Sequence, residues 1–394
     1  MLRPLLALPR TVWLLGWVSL INDAASDLIY PLLPIYLASV LLAGPRALGL
    51  IEGVAEMVGS LLKLYSGVVA DRIARRKPLV VAGYALAALA RPLIALAAVW
   101  PVVLLLRFLD RVGKGLRSSP RDAMLAGSVD AGRRGLAFGL QRGMDNAGAV
   151  IGPFAAWLLL AGGVSIHHLI YWTAVPGVLT VLLAAAVAEP PRDRAETAPA
   201  AMDWRLSRLP SPYRRYLLVL GLFSLGNSSN MFLLLKARDL GLAEAQIPLL
   251  WGVTSLVATV FSPVLAGWSD RLGRIRLICA GWLVYALFYG ALGASAGGSG
   301  LLWPAFAVYG LFLAATEGAE KALVADLAPP HSLGTAYGWF HLVTGLSLLP
   351  ASWLFGVLWE ELGTLAAFSW AAGCALAAAA FLWFWIGADG ARHH

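Results

Sequence analysis

Two aspartates stand four residues apart inside the first long apolar run of the chain. Asp23 and Asp27 at this spacing project from the same face of a helix, and Asn22 directly precedes the first of them. Two close carboxylates in a medium of low dielectric cannot both ionise cheaply, so one of them is expected to hold a proton. The pair therefore predicts proton coupling or substrate binding. Alternatively, it caps the break before Pro31 or pairs with an arginine of another helix.

The most charged apolar stretch of the chain is 101–126. Its charged residues fall within an arc of about 140° on a helix that turns about 100° per residue, so one face is polar. They are Arg107, Asp110, Arg111, Lys114, Arg117, Arg121 and Asp122. Charges inside an apolar span are costly and face a cavity by default, so Arg107, Asp110 and Arg111 are predicted to contact the substrate. The lower set, Lys114 to Arg121, is assigned to anionic headgroups or to gating pairs, and Ser119-Pro120 is expected to bend or end the helix.

Polar groups recur in other apolar stretches of the first half. Arg142 and Asp145 at i, i+3 either form a structural pair or take part in substrate binding and proton release. Glu56 with Lys63 is a candidate for a polar network. Asn22 and Tyr30, in the same apolar run as Asp23, are further candidate substrate contacts.

The second half repeats part of this pattern with neutral groups. Ser224-x-x-Asn227 and the following Asn230 echo Ser19-x-x-Asn22, without the carboxylates. Asn227 and Asn230 are therefore predicted to hydrogen-bond the solute.

The stretch 301–326 supplies the acids of the second half. Glu317 and Lys321 at i, i+4 can pair with each other, which leaves Glu320 as the candidate proton carrier. Glu317 and His341 are further candidate substrate contacts, although a lone histidine is more often a packing residue. Aromatic residues of this half suit an amphipathic solute, and packing explains most of them equally well. They are Trp251, Trp268, Tyr285, Tyr289, Tyr309, Trp339 and Trp353.

Composition indicates the elements that must position these groups. The 394 residues are 59% hydrophobic and 13% charged, with a mean hydropathy of +0.74, against about 25% charged in ordinary soluble domains. Apolar runs of about 20 residues recur, each long enough to cross about 30 Å of hydrocarbon as a helix. The predicted spans are 11–40, 48–70, 78–98, 101–126, 135–160, 166–188, 214–236, 246–269, 277–297, 301–326, 335–358 and 364–387. The first run lacks a cleavage site of the signal-peptide type, so it is expected to be retained.

An internal duplication divides these twelve spans into two sets of six. Gly67-Val-Val-Ala-Asp71-Arg72 matches Ala266-Gly-Trp-Ser-Asp270-Arg271 at an offset of 199 residues, and Gly135–Gly139 matches Gly334–Gly338 at the same offset. The polar, proline-rich stretch 189–212 separates the two sets. The predicted organisation is therefore a six-helix bundle at 1–188, a cytoplasmic linker at 189–212 and a second six-helix bundle at 213–394.

The charge of +8 indicates orientation rather than nucleic-acid binding. Lys and Arg crowd into the loops on one side, among them 72–77, 133–134, 192–215 and 271–276. The loops on the other side hold Arg46, Lys236 and Arg238. By the positive-inside rule, the protein is predicted to be a multi-pass protein of the cytoplasmic membrane with both termini in the cytoplasm.

These features resemble the major facilitator superfamily (MFS). The resemblance rests on twelve spans in two repeats and on the G-x-x-x-D-R-x-x-R-R-type loop after the second and eighth spans. Arg107-x-x-Asp110-Arg111-x-Gly113 is similar to the family motif R-x-x-Q-G-x-G. Gly148-x-x-x-Gly152-Pro153 resembles the start of the antiporter motif, with Ala156 and Trp157 in place of its closing glycine pair.

The resemblance implies the MFS fold, an all-α protein, and a substrate site between spans one, four, seven and ten. It also implies gating by the two loops through pairs with charges on neighbouring helices. The gating residues are then Asp71, Arg72, Arg75, Arg121, Asp270, Arg271 and Arg274. Members usually act as single chains, so a monomer is expected.

The predicted function is proton-coupled secondary transport by alternating access, as an exporter of amphipathic or cationic compounds. Asp23, Asp27, Asp145 and Glu320 would carry protons. An organic anion or phosphate ester is the alternative substrate, favoured by the arginines of 101–126. A divalent-metal exporter, a channel and a non-transporting membrane sensor or assembly subunit are less well supported.

The sequence offers no signature of an enzyme. Gly113-Lys114-Gly115 lacks the spacing of a phosphate-binding loop, and no catalytic Ser/His/Asp set or H-E-x-x-H is found. Cys279 and Cys374 are expected to be packing residues, and no metal site is predicted. The expected partners are a small-molecule substrate, protons and the lipid bilayer, with no nucleic acid and no cofactor beyond the proton gradient.

Overall fold

The computed structural model describes residues 8–72, 75–130, 134–189, 205–295, 298–328 and 333–387. Within these ranges every regular element is helical, which confirms the predicted all-α fold. The helices of the first half are α1 Arg10–Ile29, α2 Leu33–Ser39, α3 Pro45–Arg72, α4 Lys77–Leu93, α5 Trp100–Gly127, α6 Arg134–Ala161, α7 Ile166–Trp172 and α8 Ala174–Ala186. Those of the second half are α9 Ser211–Gly226, α10 Met231–Asp239, α11 Gln246–Leu272, α12 Arg274–Ala294, α13 Leu302–Leu327, α14 Leu333–Leu362 and α15 Thr364–Phe381.

Three of the predicted spans are helix pairs. The first breaks between α1 and α2, where Pro31 has no backbone N–H to donate. The sixth breaks at Thr173, whose hydroxyl donates to Ile170 O at 2.6 Å. The seventh breaks after α9 at Asn227, which has φ −88° and ψ 77°. With these pairs joined, the described residues hold the twelve predicted spans.

Eight of these twelve are long and apolar enough to cross a membrane by length and composition alone. They are Arg10–Ser39, Lys77–Leu96, Leu136–Ala161, Ile166–Ala186, Ser211–Asp239, Arg274–Ala294, Thr335–Leu362 and Thr364–Ile386. The charged face of α5 lowers the hydropathy of that helix. The protein is therefore a multi-pass membrane protein.

Of the two outcomes expected at Ser119-Pro120, a bend or an end of the helix, the end is wrong. The helix α5 continues through Pro120 to Gly127. A proline inside a helix removes one backbone hydrogen bond and costs about 3 kcal/mol, so packing must offset that cost. Pro120 is buried, and the Ser119 hydroxyl donates to Lys63 O of α3 at 2.9 Å.

The chain forms two compact units. The first comprises Met1–Tyr36 with Val54–Ala200, and the second comprises Leu37–Gly53 with Ala201–His394. The linking stretch 190–204 lies outside the described residues.

In the first unit, α1 packs along α6 and α4 packs along α5, while α8 contacts both α1 and α4. Their apolar faces meet in a core that includes Val12, Leu15 and Val80. Two glycines allow α4 and α5 to cross closely, because a Cβ at Gly83 would lie 2.5 Å from Gly113 O. This crossing brings the charged face of α5 beside α4.

In the second unit, α12 packs against α13 and α15, and α9 packs against α14 and α15. The first turns of α3 also belong to this unit and pack on α14 through small residues. A Cβ at Gly49 would overlap Ser352 O, and one at Gly356 would lie 2.6 Å from Pro45 O. Arg46 stabilises this contact. Its side chain pairs with Glu361 at 2.5 Å, and its backbone N–H donates to Glu360 Oε1 at 2.9 Å.

Candidate functional site

The carboxylates of α1 lie on a helix whose position is set by α6. Gly148 and Gly152 of α6 face the α1 backbone, and a Cβ at Gly148 would lie 2.5 Å from Leu20 O. A Cβ at Gly152 would overlap Ala24 O. The G-x-x-x-G spacing therefore serves close packing of α6 against the turn of α1 that holds Asp23.

Asp23 and Asp27 are both half-buried on α1. Asn22, which is buried, donates from Nδ2 to Asp23 Oδ1 at 2.8 Å. Several charges act on Asp23 electrostatically: Asp27 on its own helix, Lys114, Arg117 and Arg121 on α5, and Asp145 on α6. The first unit thus brings three of the four predicted proton carriers into one mixed-charge cluster, which we call the α1 cluster.

Asp110 is the centre of a second group of charges. Its side chain is 0% exposed, and Arg91 Nε donates to its Oδ1 at 2.9 Å. Arg107 lies 3.5 Å and Arg111 3.9 Å from Oδ2. A buried carboxylate requires such compensation, because desolvation of an unpaired charge is expensive. The predicted substrate contacts Arg107, Asp110 and Arg111 are therefore together, and each is buried and paired.

Arg111 also joins α5 to α3. Its Nη2 lies 2.8 Å from Glu56 Oε1. A glycine permits this approach, since a Cβ at Gly115 would overlap the Leu62 side chain. Ser66 of α3 donates to Gly115 O at 2.7 Å. A polar network is expected between Glu56 and Lys63, and the ion-pair partner that the structure gives Glu56 is Arg111.

A third group lies one turn before Asp23 on α1. Gln141 of α6 donates to Asp145 Oδ2 at 2.7 Å and to the Ser19 hydroxyl at 3.1 Å. Arg121 also donates to Ser19 at 3.1 Å, lies 4.0 Å from Asp145 and pairs with Asp122 at 2.9 Å. The predicted partner Arg142 is exposed. Hydrogen bonds among α1, α5 and α6 therefore hold Asp145 in place.

In the second unit, the predicted site residues each have different neighbours. Glu320 Oε1 accepts from Trp282 Nε1 at 3.1 Å, and Asn230 Oδ1 accepts from the Tyr309 hydroxyl at 2.5 Å. Glu317 and Lys321 form the expected ion pair at 2.9 Å, on an exposed face. Asn227, which caps α9, and Tyr30, which follows α1, are half-buried, and His341 is exposed.

The aromatic residues of the second unit are mostly core. Tyr285, Tyr289 and Tyr309 are almost fully buried, and Tyr285 stacks on Tyr289 with ring centroids 4.0 Å apart. Trp268 and Trp353 are about half exposed. Packing therefore accounts for the three tyrosines in this structure.

An apolar cavity in the second unit lies between α12 and α13. Its volume is about 500 Å³, and Val284, Leu287, Leu301 and Val308 are among its lining residues. None of the predicted site residues lines it. Among the described residues, no group of three or more His, Cys, Asp or Glu side chains is arranged to hold a metal ion.

The predicted gating residues are described in part. The side chains of Asp71, Arg72, Asp270 and Arg271 lie outside the described residues, and Arg75 is exposed. Arg274 pairs with Asp326 at the end of α13. Near the first loop, the carboxylate of Glu189 accepts from the backbone N–H groups of Arg76 and Lys77, at the start of α4.

Sequence reasoning missed Arg91, Ser19 and Gln141. Arg91 carried a signal, since it is the one charge in the apolar stretch 79–96, and an ionisable residue in a span is a functional candidate by default. The signal of Ser19 was its place in the Ser-x-x-Asn pattern that the second half repeats. Gln141 carried none, because uncharged polar residues are common in membrane helices.

Comparison with known proteins identifies relatives along nearly the whole chain. The family model described as Major Facilitator Superfamily matches residues 15–235 and 216–393. An uncharacterised MFS-type transporter of Methanocaldococcus jannaschii is 32% identical over 360 residues, which cover 90% of this chain and 89% of the relative. The multidrug resistance protein MdtH of Proteus mirabilis is 26% identical over 322 residues, 80% of this chain and 78% of the relative. A crystal structure of a variant of the nucleoside transporter NupG has a TM-score of 0.80 at 13% identity, covering 95% of this chain and 99% of the other.

Proposed function

The chain belongs to the major facilitator superfamily of membrane transporters, and we propose that it is a proton-coupled exporter of amphipathic or cationic compounds. It would work by alternating access in the cytoplasmic membrane, as a monomer with both termini in the cytoplasm. The observation that carries the proposal is the α1 cluster, in which Asp23 and Asp27 are half-buried and Asp23 interacts electrostatically with Asp145. The similarity to multidrug resistance proteins supports export.

The pairing of the nearby arginines favours a cationic solute over an anionic one. Arg107 and Arg111 lie against Asp110 and Glu56, so their charges are already compensated. The carboxylates of Asp23 and Asp27 lie in the same unit, and both residues are partly accessible to solvent. A cation and a proton can therefore compete for the same carboxylates, which is the basis of exchange.

Arg117 supports a second candidate, transport of an organic anion or phosphate ester. Its side chain is buried and lies over the Tyr84 ring, with Cζ 4.4 Å from the ring centroid. Among the described residues, neither its Nη1 nor the Tyr84 hydroxyl has a hydrogen-bond partner. A buried donor without an acceptor is costly, and an anionic group could supply the acceptor.

Transport of tetraphenylphosphonium in proteoliposomes tests the main proposal. A pH gradient should drive its accumulation in wild type and fail to do so in Asp23→Asn. Asp130→Asn, the same change at an exposed position outside the cluster, should behave as wild type. Equal pH-driven transport in wild type and Asp23→Asn would remove Asp23 from coupling. Gradient-driven uptake of an organic anion instead would support the second candidate.

A further inference from the structure

Arg91 links the buried Asp110 group to the α1 cluster. It lies near the end of α4, directly before Pro92, and is 4% exposed. Proton exchange by Asp23 does not by itself require an arginine on α4. The contacts of Arg91 nevertheless lead, bond by bond, to the Asp23 carboxylate.

The guanidinium of Arg91 is held from two sides. Nε donates to Asp110 Oδ1 at 2.9 Å, and Nη1 donates to both Asn22 O and Asn22 Oδ1 at 3.1 Å. A guanidinium presents its donors in a rigid planar fork, so bonds on one edge fix the direction of the other. Asp110 thereby sets the orientation in which Arg91 meets Asn22.

That orientation determines which way the Asn22 amide points. Arginine has donors only, so the amide oxygen must face Arg91 and the amide nitrogen must face away from it. The nitrogen then donates to Asp23 Oδ1 at 2.8 Å. A continuous series of hydrogen bonds therefore runs from Asp110 on α5, through Arg91 on α4, to Asp23 on α1.

We propose that Arg91 is a positioning residue for the coupling carboxylate: through Asn22 it holds Asp23 in the orientation from which it exchanges its proton. This role rests on the proposed function of Asp23. Arg91 itself contacts neither of the two α1 carboxylates through a hydrogen bond among the described residues; its effect passes through the Asn22 amide.

Two variants separate positioning from plain structural support. Arg91→Lys keeps a positive charge near Asp110 but loses the fork that reaches Asn22. Asn22→Leu keeps the side-chain volume and the Arg91–Asp110 pair but removes the donor to Asp23. Arg10→Lys, the same chemical change at an exposed position on α1, is the matched control.

The first measurement needs no substrate. Dicyclohexylcarbodiimide modifies carboxyl groups in apolar surroundings, and peptide mass spectrometry can report Asp23 and Asp27 separately. Arg91→Lys and Asn22→Leu should each raise Asp23 labelling relative to Asp27 by about tenfold, the effect of losing one hydrogen bond to a charged group. The double variant should add little to either, because both remove the same link. Arg10→Lys should label as wild type.

Two labelling results would overturn the proposal. One is an Asp23 rate that is equal in wild type and both variants. The other is a rise that Asp23 and Asp27 share, since that indicates loosening of α1 rather than release of one carboxylate.

Transport supplies a second measurement. A general structural defect would lower counterflow and gradient-driven accumulation together, whereas loss of positioning would lower the second alone. Counterflow of tetraphenylphosphonium needs no net proton movement, whereas accumulation driven by a pH gradient does. Arg91→Lys should lower gradient-driven accumulation about tenfold and leave counterflow within about twofold of wild type. Equal losses of both would count against positioning. If wild type moves no tetraphenylphosphonium, the proposed function fails, and the labelling still decides the role of Arg91.

Discussion

The side chains of Arg111 and Glu56 meet at 2.8 Å and join α5 to α3 inside the first unit. Arg111 is buried, while about a third of the Glu56 side chain is exposed. Arg111, which the sequence alone makes a candidate contact for an anionic substrate, is thus already paired with a carboxylate of the protein. The stability of the unit should depend on this pair.

Glu56→Gln should lower the free energy of unfolding by about 1–3 kcal/mol, because it replaces the carboxylate 2.8 Å from the buried Arg111 with a neutral amide. Thermal unfolding of the purified protein measures the change. Glu317→Gln is the matched control, since Glu317 pairs with Lys321 on an exposed face, where such a pair contributes about 0–1 kcal/mol. Equal effects at the two positions would mean that Arg111 does not depend on Glu56.

Gly148→Ala should destabilise the first unit by about 1–3 kcal/mol, since its Cβ would overlap Leu20 O and push α6 away from α1. Gly143 lies on the same helix, and outside its own helix turn no atom of the described residues lies within 4 Å of its Cβ position. Gly143→Ala should therefore be neutral or stabilising by up to about 1 kcal/mol. Thermal unfolding of both variants tests the contrast, and a stable Gly148→Ala protein would show that the helices can separate at low cost.

Stabilisation of the protein by tetraphenylphosphonium should grow as pH rises. The cation and the proton compete for the α1 carboxylates, so fewer bound protons leave more sites for the cation. The shift in melting temperature at two pH values measures this, and Asp23→Asn should abolish it. Stabilisation by organic anions that survives Asp23→Asn and is lost in Arg107→Ala would instead place the substrate on α5.

Glu320→Gln separates coupling from folding in the second unit. The amide oxygen can still accept from Trp282 Nε1, so unfolding should change by less than about 1 kcal/mol. If Glu320 carries a proton, gradient-driven transport should fall while counterflow persists. Glu244→Gln, the same change at an exposed position of the second unit outside the predicted site residues, should leave both intact. Unchanged gradient-driven transport in Glu320→Gln would confine coupling to the first unit.

The sequence was sufficient for the architecture because apolar runs of helical length, together with the internal duplication, indicate where the chain crosses the bilayer. The runs predicted the twelve spans, and Pro31 marked the break in the first of them. Periodicity also identified the polar face of α5, where Arg107, Asp110 and Arg111 do lie together.

The pairings within that face could not be predicted, since they depend on neighbouring helices. No spacing relates Arg91 to Asn22, which is 69 residues away, or Gln141 to Ser19, which is 122 away. The same limit applies to Pro120. A proline is expected to end or bend a helix, but α5 continues past it and packs beside Lys63. Local patterns predicted that Arg107, Asp110 and Arg111 lie together, and tertiary packing determined the hydrogen bonds and ion pairs that each one makes.

The contact of Arg46 with Glu360 has a consequence for the synthesis of the protein. The two residues are 314 positions apart, so translation at about 5–20 residues per second separates their appearance by roughly 15 to 60 s. During that interval the first turns of α3, with the small residues Gly49 and Gly53, lack their contacts with α14. A nascent chain stalled before α14 would expose this face to other helices in the membrane. The last spans therefore complete the packing of one of the earliest segments of the chain.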